Sequence, residues 1–230
     1  MNNFIEQSAY FGVFITFGTY WLGSMCKKKW NYALVNPLLI SIALILIFLV
    51  TFHIDYATYN LSAKYISYLL TPATICLALP LYEQFETLKK NWKALLLGIT
   101  SGVLSSTLSV LGICMLFKLS HEEYIAFLPK SITTAIGMGL SEEMGGIVPI
   151  TVAAIVLTGL FGNIFAEMIL KLFRIEEPIA QGIGIGSASH AMGTAKAMTM
   201  GDVTGAMSSL SIVVSGLLTV IAANIFSGFM

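Results

Sequence analysis

Gln181-Gly182-Ile183-Gly184-Ile185-Gly186-Ser187-Ala188-Ser189-His190-Ala191-Met192-Gly193-Thr194-Ala195-Lys196-Ala197-Met198 is the stretch on which the fold turns. It gathers glycines, hydroxyl side chains, a histidine and a lysine, and a long apolar window at 205–230 follows it. A second stretch has the same character and also precedes an apolar window, at 146–166: Pro129-Lys130-Ser131-Ile132-Thr133-Thr134-Ala135-Ile136-Gly137-Met138-Gly139-Leu140-Ser141-Glu142-Glu143. Both are too polar and too rich in glycine to face lipid as ordinary spans. Lipid offers no partner to a free backbone group, so irregular backbone at membrane depth persists only where protein buries it or where it lines a cavity. Each stretch is therefore expected to be a re-entrant hairpin or a helix broken mid-membrane.

The rest of the chain supplies the membrane. Its 230 residues are 57% hydrophobic and 10% charged, with a mean hydropathy of +0.84; soluble domains carry roughly 25% charged residues. Net charge is zero, and no basic patch is rich enough to hold a nucleic-acid backbone, so DNA and RNA are excluded as partners. A helix needs about 20 mostly apolar residues to cross a hydrocarbon core of roughly 30 Å. Windows 7–26, 33–52, 94–117, 146–166 and 205–230 meet that condition without a charge, and 65–82 approaches it but is broken by Pro72 and Pro80. The expected fold is an all-α polytopic membrane protein of about six full spans plus two or three broken or re-entrant helices. One domain covers 1–230: two scaffold or oligomer-contact spans in 1–62, a proline-broken helix plus span in 63–117, and a broken segment plus span in each of 128–170 and 179–229.

Basic residues set the orientation. Lys27, Lys28, Lys29, Lys89, Lys90, Lys93, Lys171 and Arg174 fall in loops that alternate with those holding Lys64, Lys118 and Lys130. The richer loops are expected in the cytoplasm and the N-terminus outside, provided that 128–143 and 179–199 do not cross as simple helices. The start of the chain lacks the basic region of a cleaved signal, so the first apolar run is expected to be kept. One common displacement lays Gly159 on Gly216 and Thr133-Thr134 on His190-Ala191, and brings the Gly145-Gly146 turn near Gly201-Asp202. If each polar segment re-enters, one does so from each side, which is the inverted repeat of many secondary transporters.

Several side chains in these segments suit a small anion. His190 is either a substrate donor or proton carrier at membrane depth, or a histidine that bonds a neighbouring carbonyl and locks the hairpin. Lys196 suits a carboxylate, or pairs with Glu142 or Glu143, or snorkels to the interface. Thr133, Thr134, Ser187, Ser189 and Thr194 offer hydroxyls to a carboxylate, or let helices approach closely. Lys130 reads as nearer the mouth, attracting anions or snorkelling. Pro72, Pro80, Pro129, Gly186 and Gly193 are expected at helix breaks, and Glu142 and Glu143 in a solvated turn or in proton coupling. Cys26, Cys76 and Cys114 are far apart and read as apolar fillers. No metalloprotease, P-loop or nucleophile-elbow motif is present, so neither enzyme chemistry nor a cofactor or metal is expected.

Several stretches together resemble the LrgB/CidB family of bacterial membrane proteins. They are Pro72-Ala73-Thr74 through Pro80-Leu81-Tyr82, Pro129-Lys130-Ser131 with Thr133-Thr134, Gly145-Gly146-Ile147, Lys171-Leu172-Phe173-Arg174-Ile175, Pro178-Ile179-Ala180 with Gly182, and above all 186–195. Many members have a proline after the threonine pair, where this chain has Ala135; Gly137 and Gly139 could supply the kink instead. The resemblance implies a protein of the bacterial plasma membrane that pairs with a small LrgA/CidA-type membrane protein and is linked to murein hydrolase control and autolysis. It also implies carriage of small monocarboxylates of the pyruvate and glycolate class, because a related plastid-envelope protein moves glycolate and glycerate and bacterial members are associated with pyruvate uptake. The other reading is a non-transporting, antiholin-like regulator that binds a holin-like protein.

Overall fold

The computed structural model describes residues 10–30, 35–69, 72, 75, 76 and 78–230. The chain divides into two compact units, Met1–Cys76 and Leu77–Met230. All regular structure among the described residues is helical.

The first unit holds α1 (Phe11–Lys29), α2 (Pro37–Thr51) and α3 (Tyr56–Ser67). Pro37 opens α2 at a position where its missing N–H costs nothing, and the Asn36 side chain accepts from the amides of Leu38 and Leu39. The helix stops before His53, whose φ is 52°. Polar contacts join the three helices: the Gly12 amide donates to Ser62 Oγ at 2.6 Å, and the Thr19 and Ser41 hydroxyls lie 2.9 Å apart. Gly12 has to be bare there, because a Cβ would run into the α3 backbone at Tyr59 and Ala63.

The second unit holds α4 (Ala78–Glu83), α5 (Phe85–Phe117), α6 (His121–Phe127), α7 (Thr134–Glu143), α8 (Val148–Leu172), α9 (Pro178–Met200) and α10 (Asp202–Phe226). Among the described residues three helices are long and apolar enough to cross a membrane: Phe85–Phe117, Val148–Leu172 and Asp202–Phe229. The sequence windows number six. The first two become α1, which ends on Lys27, Lys28 and Lys29, and α2, an apolar helix of 15 residues. At about 1.5 Å per residue α2 reaches about 22 Å. The window 65–82 straddles the end of α3 and the short α4; Pro72 is exposed, Pro80 lies within α4, and residues 70, 71, 73, 74 and 77 of that expected break lie outside the described residues.

The decisive stretch does break. Within α9, His190 has φ 42° and ψ −139°, far from helical values. Contacts show that the chain turns back there. Gly193 lies against both the side chain and the carbonyl oxygen of Ile185, and Ile185 shares an apolar cluster with Ala197. In a straight helix those pairs would stand about 12 and 18 Å apart along the axis. Limbs 178–189 and 191–200 thus form a helical hairpin with His190 at its tip. Both limbs pack on α10: Gly182 and Gly186 meet Ser208 from one limb, and Thr194 meets it from the other.

The first polar stretch forms a second hairpin. A capping box between Ser120 and Glu123 starts α6, the loop 128–133 reverses the chain, and α7 returns. Gly146, just past the end of α7, lies against Ser141 of α7 and Ile125 and Ala126 of α6, which brings the end of α7 back to α6. This hairpin lies along the N-terminal half of α8, with Thr151 Oγ1 donating to Ser141 at 2.7 Å and Gly137 beside Ile155. The α9 hairpin comes from the other end of α8: Ile185 and Ala197 meet Ala166 and Leu170, Ser189 meets Gly162, and His190 reaches Ile155. The two hairpins approach from opposite ends of one membrane-length helix, and both reach Ile155. Every buried side-chain nitrogen or oxygen among the described residues has a hydrogen-bond partner, as a dry interior requires.

Candidate functional site

Beside the two hairpins the second unit forms an open cavity of about 1520 Å³, with Leu157 and Phe161 of its wall exposed. Its walls are one face of α5 (Gly98, Ser101, Gly102, Ser105, Ser106, Ser109), one face of α8 (Ala154, Leu157, Thr158, Phe161), Lys130 and Ser131 from the first hairpin, and Ser187 and Ser189 from the second. The α5 residues recur every three or four positions and so share a face. The cavity runs from Asn91 and Glu177 to Ser109, Phe127 and Lys130. Its surface is mostly apolar, with hydroxyls in a row along α5 and a single cation, Lys130, among the described lining residues.

The loop 128–133 carries Lys130 to the middle of the apolar window 94–117. There its Nζ donates to Ser106 Oγ and to Ser131 Oγ, both at 3.1 Å, and the two hydroxyls are 3.1 Å from each other. The side chain is turned towards α5. Its partners are hydroxyls, and no carboxylate pairs with it among the described residues.

The residues singled out in the sequence separate into groups. Ser187 and Ser189 line the cavity; Ser187 Oγ also donates to the Ile183 carbonyl at 2.6 Å. His190 and Thr194 are buried beside it and hold the reversal: His190 Nε2 bonds the Ile155 carbonyl at 3.0 Å, and Thr194 Oγ1 bonds the His190 carbonyl at 2.9 Å and Ser208 Oγ at 2.7 Å. A carbonyl cannot donate, so the His190 proton sits on Nε2. Asn163, unremarked in the sequence, donates to the Met192 carbonyl at 2.7 Å and ties the same turn to α8. Gly186 and Gly193 sit at close approaches within the hairpin and on α10, and Pro129 is buried in the loop of the first one.

Lys196 lies on the returning limb and pairs with Glu167 of α8 at 2.6 Å, not with Glu142 or Glu143. Those two glutamates are exposed in the last turn of α7, before Gly145, whose φ of 80° favours glycine. Thr133 and Thr134 are half-buried at the start of α7, outside the cavity lining. Lys130 and Ser106 carry the most direct signal for an anion, and the sequence hint was only a lysine inside an otherwise membrane-like segment. No cluster of three His, Cys, Asp or Glu side chains that could hold a metal exists among the described residues.

Three membrane-length helices that hold two opposed hairpins beside a cavity define a polytopic α-helical membrane protein. The chain belongs to the LrgB-like family, which it matches over residues 16–229. It is 35% identical over 224 residues to antiholin-like protein LrgB of Bacillus cereus and, equally, to that of Bacillus anthracis, with 97% of each chain covered. No solved structure matches it.

Proposed function

We propose that the protein is a secondary transporter of small monocarboxylates, of the pyruvate and glycolate class, in the bacterial plasma membrane. The observation that carries this reading is the meeting of two opposed hairpins at Ile155, one through its tip His190 and the other through Gly137 of α7, beside a cavity lined by hydroxyls and one cation. Substrate sites at the midplane between broken helices are the usual design of such carriers. Ser187 and Ser189 contact the substrate, His190 and Thr194 fix the tip that presents them, and Thr133, Thr134 and Lys196 belong to the parts that move. Glu142 and Glu143 are candidates for proton coupling at the exposed end of α7.

The segments 128–170 and 179–229 form an inverted repeat, each a broken segment followed by a span, within a single LrgB-like domain. The first unit and the 63–82 region complete about six spans and serve as scaffold or oligomer contact. The N-terminus is outside, which puts Lys171 and Arg174 in the cytoplasm. A small LrgA/CidA-type membrane protein is the partner, and carriage of the metabolite links the pair to murein hydrolase control and autolysis.

Purified protein in proteoliposomes, with and without the small partner, is expected to take up labelled pyruvate or glycolate. Equal leakage into empty and protein-loaded vesicles removes the transport reading. The name antiholin-like, carried by the relatives, favours a second reading: a non-transporting regulator that binds a holin-like protein. On that reading Ser187→Ala with Ser189→Ala leaves autolysis control intact; on the transport reading the pair impairs uptake.

A further inference from the structure

We infer that Lys130, Ser106 and Ser131 form the carboxylate-binding end of the cavity; the assignment rests on the transport reading and names the group that holds the anion. A lysine at the level of mid-membrane is costly unless something balances its charge. Here the ammonium is met by two neutral hydroxyls at 3.1 Å and by no carboxylate among the described residues, and it opens on the cavity. The fold therefore supplies a cation and two hydroxyls, and leaves the anion to come from outside the chain.

The cavity fits an anion that is small and partly apolar. One carboxylate oxygen accepts from Lys130 Nζ, and the Ser106 hydroxyl turns from its neighbour Ser131 to donate to the other. Each serine carries one donor and two acceptor sites, so the pair can re-form its own bond when the ligand leaves. The apolar remainder of the ligand lies against Leu157 and Phe161. The hydroxyls of Ser105 and Ser109 offer partners to a hydroxyl or keto oxygen beside the carboxylate. A cavity of about 1520 Å³ exceeds the usual ligand pocket of roughly 300–1,000 Å³. The bulk of it is the approach from the Asn91 and Glu177 end, and the site proper is the Lys130 end.

The test compares wild type, Lys130→Met, Lys130→Arg and Ser106→Ala by vesicle uptake of labelled pyruvate and by calorimetric binding of pyruvate in detergent, with thermal unfolding of each. Lys130→Met is expected to lose about 10- to 100-fold in affinity, the range for one charge-assisted hydrogen bond. Lys130→Arg keeps part of the affinity, and Ser106→Ala loses a few-fold. Lys130→Met also unfolds at the same or a higher temperature, because an uncompensated cation leaves the interior; a merely structural lysine would lower it. If wild type transports pyruvate and Lys130→Met does so with an unchanged KM, the assignment is overturned while the transport reading stands. If wild type binds pyruvate without carrying it, and Lys130→Met does not bind, transport fails and the assignment holds. No binding to wild type removes both.

Discussion

His190 Nε2 lies 3.0 Å from the carbonyl oxygen of Ile155, and this contact joins the tip of one hairpin to the helix residue against which the other hairpin rests. The bond requires the imidazole to cross from a backbone that L-residues rarely adopt, φ 42° and ψ −139°. That region is where type II′ turns place glycine. The strain and the hydrogen bond therefore oppose one another at a single residue, and two substitutions separate them. His190→Gly loses the bond and relieves the backbone; His190→Ala loses the bond and keeps the strain. Both are expected to be destabilised by about 1–2 kcal/mol for the lost buried bond, with Ala lower than Gly by about 1 kcal/mol. Thermal unfolding in detergent reads the order, and an Ala variant more stable than the Gly variant contradicts the strained turn.

Close packing of the α9 hairpin on α8 depends on bare glycine. A Cβ at Gly162 would overlap the Ser189 side chain, and one at Gly159 would press on His190 and Met192. Gly162→Ala is expected to cost about 1–3 kcal/mol, the range for overpacking a tight contact. Gly112→Ala is the control, because a Cβ there meets nothing within 4 Å. It is expected to be neutral or slightly stabilising, since alanine favours helix over glycine by up to about 1 kcal/mol. Equal unfolding midpoints for the two variants would mean that the hairpin sits away from Gly162.

The ion pair of Lys196 with Glu167 ties the returning limb to α8 at 2.6 Å. Both side chains are partly open, 29% and 43% exposed, so the pair is worth at most about 1 kcal/mol. A double-mutant cycle on Lys196→Met and Glu167→Gln is expected to give a coupling of that size, and exchanging the two residues restores most of the stability. A lysine that served the substrate instead would raise the KM for uptake on substitution, with no rescue by any change at Glu167.

A break within 179–199 was legible because glycine, serine and histidine interrupt an apolar chain there, and lipid tolerates such backbone only when it is sheltered. Its place was not, since Gly186 and Gly193 were expected at it and the non-helical residue is His190. The meeting of the two hairpins was legible only as a possibility of symmetry. Its physical anchor is Ile155, an ordinary apolar residue whose carbonyl bonds His190. The partners of the lysines could not be read at all. Ser106 stands 24 positions from Lys130, and Glu167 is on a different helix from Lys196. Local sequence therefore showed a lysine at Lys130 and could not show that a loop carries it to the centre of α5. Helix bounds in the N-terminal region were hidden for a different reason: 33–52 counts as one apolar window, yet Pro37 opens α2 and His53 follows its end. Hydropathy registers apolar residues but not where a helix begins.

Opposed hairpins make a prediction about sidedness. Glu143 closes the first hairpin at the N-terminal end of α8, and Asp202 follows the second at the end where Met200 packs with Leu170. Both residues are exposed. In a background with Cys26→Ser, Cys76→Ser and Cys114→Ala, Glu143→Cys and Asp202→Cys are expected to react with a membrane-impermeant thiol reagent from opposite faces of the membrane. Ser105→Cys, which lines the cavity with Asn91 and Glu177, is expected to react from the face that labels Asp202→Cys. Excess pyruvate should slow labelling of Ser105→Cys while leaving the two end positions unchanged. Labelling of Glu143→Cys and Asp202→Cys from one face would mean that α8 does not cross, and the opposed arrangement would then have no membrane to span.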